Sequence, residues 1–325
     1  MQQILLAGSA GFIGQKVAEF LLKEGYEVIG VDNFDDYYDL RLKEYRLSLL
    51  KGYKNFFFHR VDIRDYNSLK SLFERYRFSA IINLAARAGV RDSVKDPFIY
   101  FSANLTGNLN LLELSKEFKI EKFVLASTSS LYAGQKLPFK ESLSVNTPIS
   151  PYAASKKSAE LSCYTYHYLY GIDITILRYF TVYGPAGRPD MSIFRFIKWI
   201  DEGNEVIVYG DGRQKRDFTY IDDIAEGTIK GLKRMGFKII NLGNSKPYEL
   251  NYVIGVIENY LSKKAKIVKQ PFHKADFKIS WADIEEAGNS LGWKPKVDLG
   301  EGIRRTVAWY KQNRKWVSKV EVEKK

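Results

Sequence analysis

The first fourteen residues constrain this chain more than any other stretch. Gln3-Ile-Leu-Leu-Ala7 is a short apolar run suited to a buried parallel strand. Gly8-Ser-Ala-Gly11-Phe-Ile-Gly14 follows, and then helical spacing from Val17 to Lys23. Glycines between a strand and a helix let the backbone approach a pyrophosphate, whose charge is met by the helix N-terminus. The spacing is GxxGxxG, not GxGxxG, so the turn permits a dinucleotide site without demanding one. The next apolar run, Glu27-Val-Ile-Gly-Val31, ends at Asp32. An acid about twenty residues past such glycines hydrogen-bonds an adenosine ribose and repels a 2′-phosphate. The alternative is a solvated acid at a strand end; beside the glycines, Asp32 points to NAD rather than NADP.

The pattern then repeats. Phe56-Phe-Phe-His-Arg-Val61 ends at Asp62, and Ala80-Ile-Ile-Asn-Leu84 runs into Ala85-Ala86-Arg87-Ala88-Gly89. Strands alternating with helices imply an α/β fold, a doubly wound parallel sheet (Rossmann-like) that binds ligands at the carboxyl ends of its strands. Every motif above falls at such an end. Length, at 325 residues, allows two domains sharing one core. Residues 1–180 are expected to form the NAD-binding domain, rejoined by about 216–245. Residues 181–325 would then be a smaller, interleaved α/β substrate domain.

Composition removes several other classes. No stretch approaches the ~20 uninterrupted apolar residues of a membrane span, and Met1 leads directly into a strand, without a secretory layout. A single cysteine, Cys163, excludes an internal disulfide and fits a cytoplasmic setting. His59, His167 and His273 are scattered, so no metal is expected. The net charge of +12 is spread along the chain beside no nucleic-acid motif, and reads as solvated surface rather than a nucleic-acid or membrane partner.

Chemistry is concentrated between Leu125 and Lys156. A strand, Phe123-Val-Leu-Ala126, breaks into Ser127, Thr128, Ser129 and Ser130, and after a proline-rich loop comes Tyr152-Ala-Ala-Ser155-Lys156. On a helix, Tyr152 and Lys156 share one face, so the ammonium can lie near the phenol and lower its pKa from near ~10. Tyr152 can then take a proton from an alcohol while Thr128 holds the same oxygen. Tyr and Lys also fall at this spacing on many helices by chance.

GSAGFIG, the strand end at Asp32, INLAA, the Ser/Thr run and YAASK together resemble the extended short-chain dehydrogenase/reductase superfamily, the sugar-nucleotide epimerases and dehydratases. Within it, Asp32-Asn-Phe-Asp-Asp-Tyr-Tyr38, Ala88-Gly-Val-Arg91 and Arg178-Tyr-Phe-Thr-Val-Tyr-Gly-Pro-Ala-Gly-Arg-Pro-Asp-Met191 are similar to nucleotide-sugar 4-epimerases acting on UDP-glucuronate. The resemblance implies Thr128, Tyr152 and Lys156 as catalytic residues. It implies a tightly held NAD on Gly8, Gly11, Phe12, Ile13, Gly14, Asp32, Asn33, Asp62, Ile63, Leu84, Ala85, Ala86, Ser127, Tyr152, Lys156 and Tyr179. A UDP-sugar would meet Arg91, Thr128, Ser129, Ser130, Thr181, Arg188, Arg216 and Asp276.

Departures from the relatives narrow the activity. Related 4,6-dehydratases place an acidic pair after the catalytic Thr, and UDP-glucuronate decarboxylases a Glu; here Ser129 and Ser130 stand there. Galactose-type epimerases carry Asn where this chain has Thr181, which leaves room for a bulkier or charged group on sugar carbon 5. The implied reaction is 4-epimerisation of UDP-glucuronate through a 4-keto intermediate. The alternatives are a UDP-glucose/UDP-galactose epimerase, a decarboxylase, a dehydratase, or a scaffold without turnover. Two long helices, Pro97 to Phe118 and Ala153 to Tyr170, imply a homodimer by the same resemblance, unless their apolar residues face only the home sheet. Lys311 to Lys325 is expected to be a frayed charged end.

Overall fold

The computed structural model describes residues 1–272 and 278–322. Its centre is a parallel sheet built from β1 (Gln3–Ala7), β2 (Glu27–Val31), β3 (Phe56–His59), β4 (Phe78–Asn83), β5 (Lys122–Thr128) and β6 (Asp173–Tyr179). After β6 the chain leaves the sheet for β7 (Thr181–Tyr183), β8 (Glu205–Tyr209) and β9 (Lys215–Tyr220). It then returns as β10 (Phe237–Leu242). Strand order is β10-β6-β5-β4-β1-β2-β3, with every pairing parallel. The excursion makes a three-stranded sheet with β11 (Pro247–Glu249), in the order β11-β9-β7. A separate pair joins β8 to β12 (Lys266–Gln270). The two parts are therefore interleaved along the chain.

β1 shows why the central strands read as unbroken apolar runs. Ile4 and Leu6 join the core on one side of the sheet while Leu5 and Ala7 join the core on the other. A strand covered on both faces has no solvent side to mark with polar residues. The Leu5 side is covered by α3 (Tyr66–Arg75) through Leu69, Leu72 and Phe73, and by α6 (Gly107–Glu117) and α7 (Pro151–Tyr170) through Leu111, Ala159 and Cys163. The other side packs on α1 (Phe12–Lys23) and on the substrate-side helices.

Local structure differs from the sequence reading in four places. Helix α1 begins at Phe12, directly behind Gly11, rather than at Val17, so its first turn faces the glycine loop. The expected strand to Val61 stops at His59. The expected helix Pro97 to Phe118 runs as α5 (Pro97–Phe101), a π-helical turn (Ser102–Thr106) and α6, with short α4 (Val90–Lys95) before it. Within the expected frayed end, residues 311–317 continue the helix Leu299–Val317, anchored where Arg314 Nε donates to Asp201 Oδ2 at 2.5 Å and where Val317 and Val320 are buried. Its charges lie on one stripe and its apolar residues on another, so a charge-rich composition concealed an amphipathic helix.

Loop 133–150 is anchored below by a small core of Leu131, Tyr132, Phe139, Val145, Ala153, Phe180 and Ala282. Phe139 N donates to Trp281 O, and Asp283 N to Phe139 O, each at 2.9 Å. These bonds tie the loop to a segment near the end of the chain.

Candidate active site

The carboxyl ends of β1, β2, β4, β5 and β6 open on one cavity of about 390 Å³. Its floor is the glycine loop. Gly8 has φ +81°, and a Cβ there would stand 2.8 Å from Ala85 N and 2.9 Å from Leu84 C. A Cβ on Gly14 would overlap the Gly8 carbonyl oxygen. Gly11 precedes the first turn of α1 and provides no side-chain cap, which leaves that turn's N–H groups to a ligand.

At the far end, Asp32 closes β2. Its Oδ1 accepts from Phe34 N at 2.8 Å and from the Lys43 ammonium, on α2 (Leu40–Ser48), at 3.1 Å. Asn33 Nδ2 donates to Asp62 Oδ2 at 2.9 Å. Partial burial alone would push Asp62 upward, but hydrogen bonds from Arg64 and Asn33 outweigh it and hold the carboxyl at about 2. The residues present fit a dinucleotide: a cradle that only glycine can line, a free helix N-terminus and an acid at the second strand end.

Opposite the cradle stands the hydroxyl cluster. Thr128 ends β5 and accepts from Ser130 N at 3.1 Å, and its hydroxyl stands near the Tyr152 phenol. Ser150 caps α7 by accepting from Ala153 N at 3.2 Å, and Pro151 occupies the first turn; this presents Tyr152 at the helix start. Burial pushes the Tyr152 phenol above the ordinary tyrosine range, and the nearby Thr128 hydroxyl and the charge of Arg188 pull it back. Burial itself brings Lys156 down to about 8, and the groups that favour its ammonium are Glu160 and Cys163, further along the same helix.

Two buried arrangements hold this cluster. Glu160 accepts from Ser127 Oγ at 2.6 Å and from Arg178 Nε and Nη2 at 2.9 and 2.7 Å. Asn104, in the π-helical turn, donates to Arg87 O and to Ser155 Oγ at 3.0 and 2.9 Å and accepts from Arg87 N at 2.8 Å. It thereby ties the segment after β4 to α7. Sequence reading missed Asn104, because a π turn has no local signature. It also missed Lys43, Tyr37, Tyr38 and Arg87, although the run Asp32–Tyr38 had been singled out.

Those last residues form the third wall. Arg188 donates to Asp190 through Nε at 3.1 Å and Nη2 at 2.5 Å, and to Ala88 O at 3.3 Å. Its guanidinium lies 5.7 Å from the Tyr37 ring centre, and that of Arg87 lies 4.2 Å from the same ring. Tyr37 donates to Asp92 at 2.9 Å, and Arg87 pairs with Asp35. Arg87 Nε is buried without a hydrogen-bond partner, a donor left over on the cavity wall.

The cavity gathers every expected cofactor residue together with Thr128, Ser129, Ser130, Thr181 and Arg188. Tyr179 lines it, but its hydroxyl is engaged by Thr228 at 2.9 Å. Two expected substrate residues stand elsewhere: the Arg91 guanidinium lies 3.8 Å over the Tyr209 ring, and Arg216, on β9, donates to Lys215 O. Asp276 lies outside the described residues.

A family model described as GDP-mannose 4,6 dehydratase matches residues 5–306. The chain belongs to that family of extended short-chain dehydrogenase/reductases. Among its relatives, a UDP-glucuronate 4-epimerase of Thermodesulfobacterium geofontis is 57% identical over 323 residues, covering 99% of this chain and 100% of the relative. A UDP-glucuronic acid 4-epimerase of Bacillus cereus, solved with UDP-glucuronic acid and NAD, superposes with a TM-score of 0.91 at 37% identity, covering 96% of this chain and 100% of the other. A UDP-glucose 4-epimerase of Thermotoga maritima, solved with UDP-glucose, superposes at 0.88 with 30% identity and the same coverage. Fold and family thus agree with the resemblance drawn from the motifs.

Proposed function

We propose that this enzyme is an NAD-dependent 4-epimerase that converts UDP-glucuronate to UDP-galacturonate through a 4-keto intermediate. The observation that carries the reading is the shared cavity: Thr128 and Tyr152 line the same space as the glycine cradle and Arg188. The likeness to UDP-glucuronate 4-epimerases supports the choice of sugar.

Tyr152, as phenolate, takes the proton of the 4-hydroxyl and later returns it, with Thr128 on the same oxygen. Thr128 and Arg188 favour the ionised phenol, and Lys156 supplies positive charge on the cofactor side of the same helix. NAD, when bound, supplies a hydride acceptor that gives the hydride back to the opposite face of carbon 4. The cycle is redox-neutral, so the cradle has no need to exchange its cofactor and holds it tightly. Ser129, Ser130, Thr181 and Arg188 keep the sugar carboxylate in place. Ser129 and Ser130 offer no carboxyl group for the elimination a dehydratase performs.

Residues 1–180, rejoined through β10, serve the cofactor, and the excursion through β7, β8 and β9 together with the chain after β10 serves the nucleotide sugar. Arg91 and Arg216 then act on the diphosphate, beyond the cavity. We further read the enzyme as a cytoplasmic homodimer. The single thiol, Cys163, is buried and unpaired, as a reducing compartment allows. Leu161, Tyr164, Tyr168 and Leu169 on α7 and Phe98 on α5 are exposed apolar residues suited to pairing with a second copy.

The test is purified protein incubated with UDP-glucuronate and no added NAD, followed by NMR and mass spectrometry. Isomerisation at unchanged mass is expected. An untouched UDP-glucuronate beside conversion of UDP-glucose to UDP-galactose would replace this reading with the galactose-type epimerase. Light scattering at two protein concentrations checks the dimer.

A further inference from the structure

Arg46 lies on α2, in the cofactor part of the chain, and is wholly buried. Its guanidinium reaches across to the loop after β7. Nε and Nη2 both donate to Ala186 O, at 2.9 and 2.7 Å, and Nη2 also donates to Gly187 O at 3.1 Å. Nη1 donates to the Tyr38 hydroxyl at 2.6 Å, and the group lies 5.3 Å from the Tyr38 ring centre and 5.8 Å from that of Phe12. All of these partners are neutral. Among the described residues none gives Arg46 a counter-ion, and a buried cation so placed is costly, so its grip must achieve something a neutral side chain would do less well. The planar fork of five donors can hold two successive carbonyls at once.

The gripped backbone is one that needs holding. Ala186 has φ +54°, the left-handed region that a side chain disfavours, and it persists only where its surroundings over-determine it. Arg188 follows two residues later and faces the cavity beside Tyr37. Lys43, one turn earlier on α2, pairs with Asp32 at the ribose end. One short helix therefore braces the cofactor end with one side chain and the sugar loop with the next.

We propose that Arg46 is a positioning residue for the sugar pocket: its grip on the Ala186 and Gly187 carbonyls sets where Arg188 stands, and so which bond of the 4-keto uronate can break. This rests on the reaction proposed above. In that intermediate the carboxylate is β to the ketone. If the C5–C6 bond swings parallel to the carbonyl π system, it breaks and CO₂ leaves. The electron pair forms an enolate, which takes a proton at carbon 5, and hydride return then yields a UDP-pentose. Held near the carbonyl plane, the bond survives and the hydride returns to an intact uronate.

The test compares wild type, Arg46→Met and Arg46→Lys with UDP-glucuronate, reading product mass, turnover, bound NAD and melting temperature. Wild type must isomerise at unchanged mass; if it does not, the proposed function and this inference fall together. With wild type active, we expect Arg46→Met to keep its NAD and to lose about ten- to a hundredfold in turnover, the scale of a misplaced supporting contact. A product lighter by one CO₂ should appear, and Arg46→Lys should restore part of the uronate yield. A folded Met variant with wild-type rate and product mass overturns the inference alone. Should it not fold, Ala186→Gly relaxes the held backbone while leaving Arg46 in place; pentose is again expected, and its absence there overturns the proposal.

Discussion

The two ends of the cavity are built from different materials. The cofactor end is mostly backbone: glycines packed against neighbouring carbonyls, a helix N-terminus and acids at strand ends. The sugar end is mostly side chains. Tyr37, Arg87, Arg188 and Asp190 come from three separate loops and hold one another by ion pairs and ring faces. The contrast teaches that one end is set by the sheet and tolerates little change, while the other is a cluster of loops whose geometry depends on braces such as Arg46 and Asn104.

The strongest way to sharpen this comparison is to stop the chemistry with one oxygen removed where the two ends meet. Tyr152→Phe should cut turnover about 10²- to 10⁴-fold, the range for losing a general acid–base group, with bound NAD unchanged by absorbance. Loss of NAD in that variant would mean that Tyr152 belongs to the cofactor end instead. Next comes Arg188→Ala, which opens the sugar end. Turnover of UDP-glucuronate should fall roughly ten- to a hundredfold at constant NAD content, and wild-type activity would remove Arg188 from the pocket.

Gly14→Ala attacks the other end. Its new methyl must displace the Gly8 carbonyl, so we expect about 1–3 kcal/mol of destabilisation, as for other overpacked sites, and release of NAD during purification. Retention of NAD with an unchanged melting temperature would show that the cradle can yield.

The smallest expected effects concern acids in the two parts, whose stability contributions run oppositely with pH. Asp62, held at about 2, contributes stability that is present above the ordinary carboxyl range and lost as pH falls toward 2. Asp217 is fully buried on β9. Burial pushes it up to about 6 despite hydrogen bonds from the N–H groups of Ala282, Asn244 and Ser245. Its contribution is present below the ordinary range and lost as pH rises through about 6. Melting curves should show Asp62→Asn flattening the acid limb and Asp217→Asn flattening the slope up to pH 6, each by roughly 2–4 °C. Slopes that survive both substitutions would dissolve this contrast.

Sequence reading fared best where chemistry is local. Gly8, Asp32, Thr128 and Tyr152 each sit at a strand end or helix start whose signal lies within a few residues, and all four meet in one cavity. It fared worse with long-range ionic choices. Nothing within the run Asp32–Tyr38 announced that Asp35 would pair with Arg87 or that the Tyr37 ring would meet the guanidinium groups of Arg87 and Arg188. The composition of the tail suggested fraying, whereas Arg314 and Val317 anchor it.

Strand and helix periodicity, turn glycines and the strand-end acids determined the parallel sheet, the glycine cradle and the placing of Thr128 and Tyr152 at a strand end and a helix start, because each depends on neighbours only a few bonds away. Tertiary structure alone decided that Arg46 would reach 140 residues along the chain to Ala186, that a π turn would aim Asn104 at Arg87 and Ser155, and that Arg188 would face Tyr37. A long polar side chain accepts many partners of equal chemistry. Which one it meets is settled by how the layers pack, and that information is distributed over the whole chain.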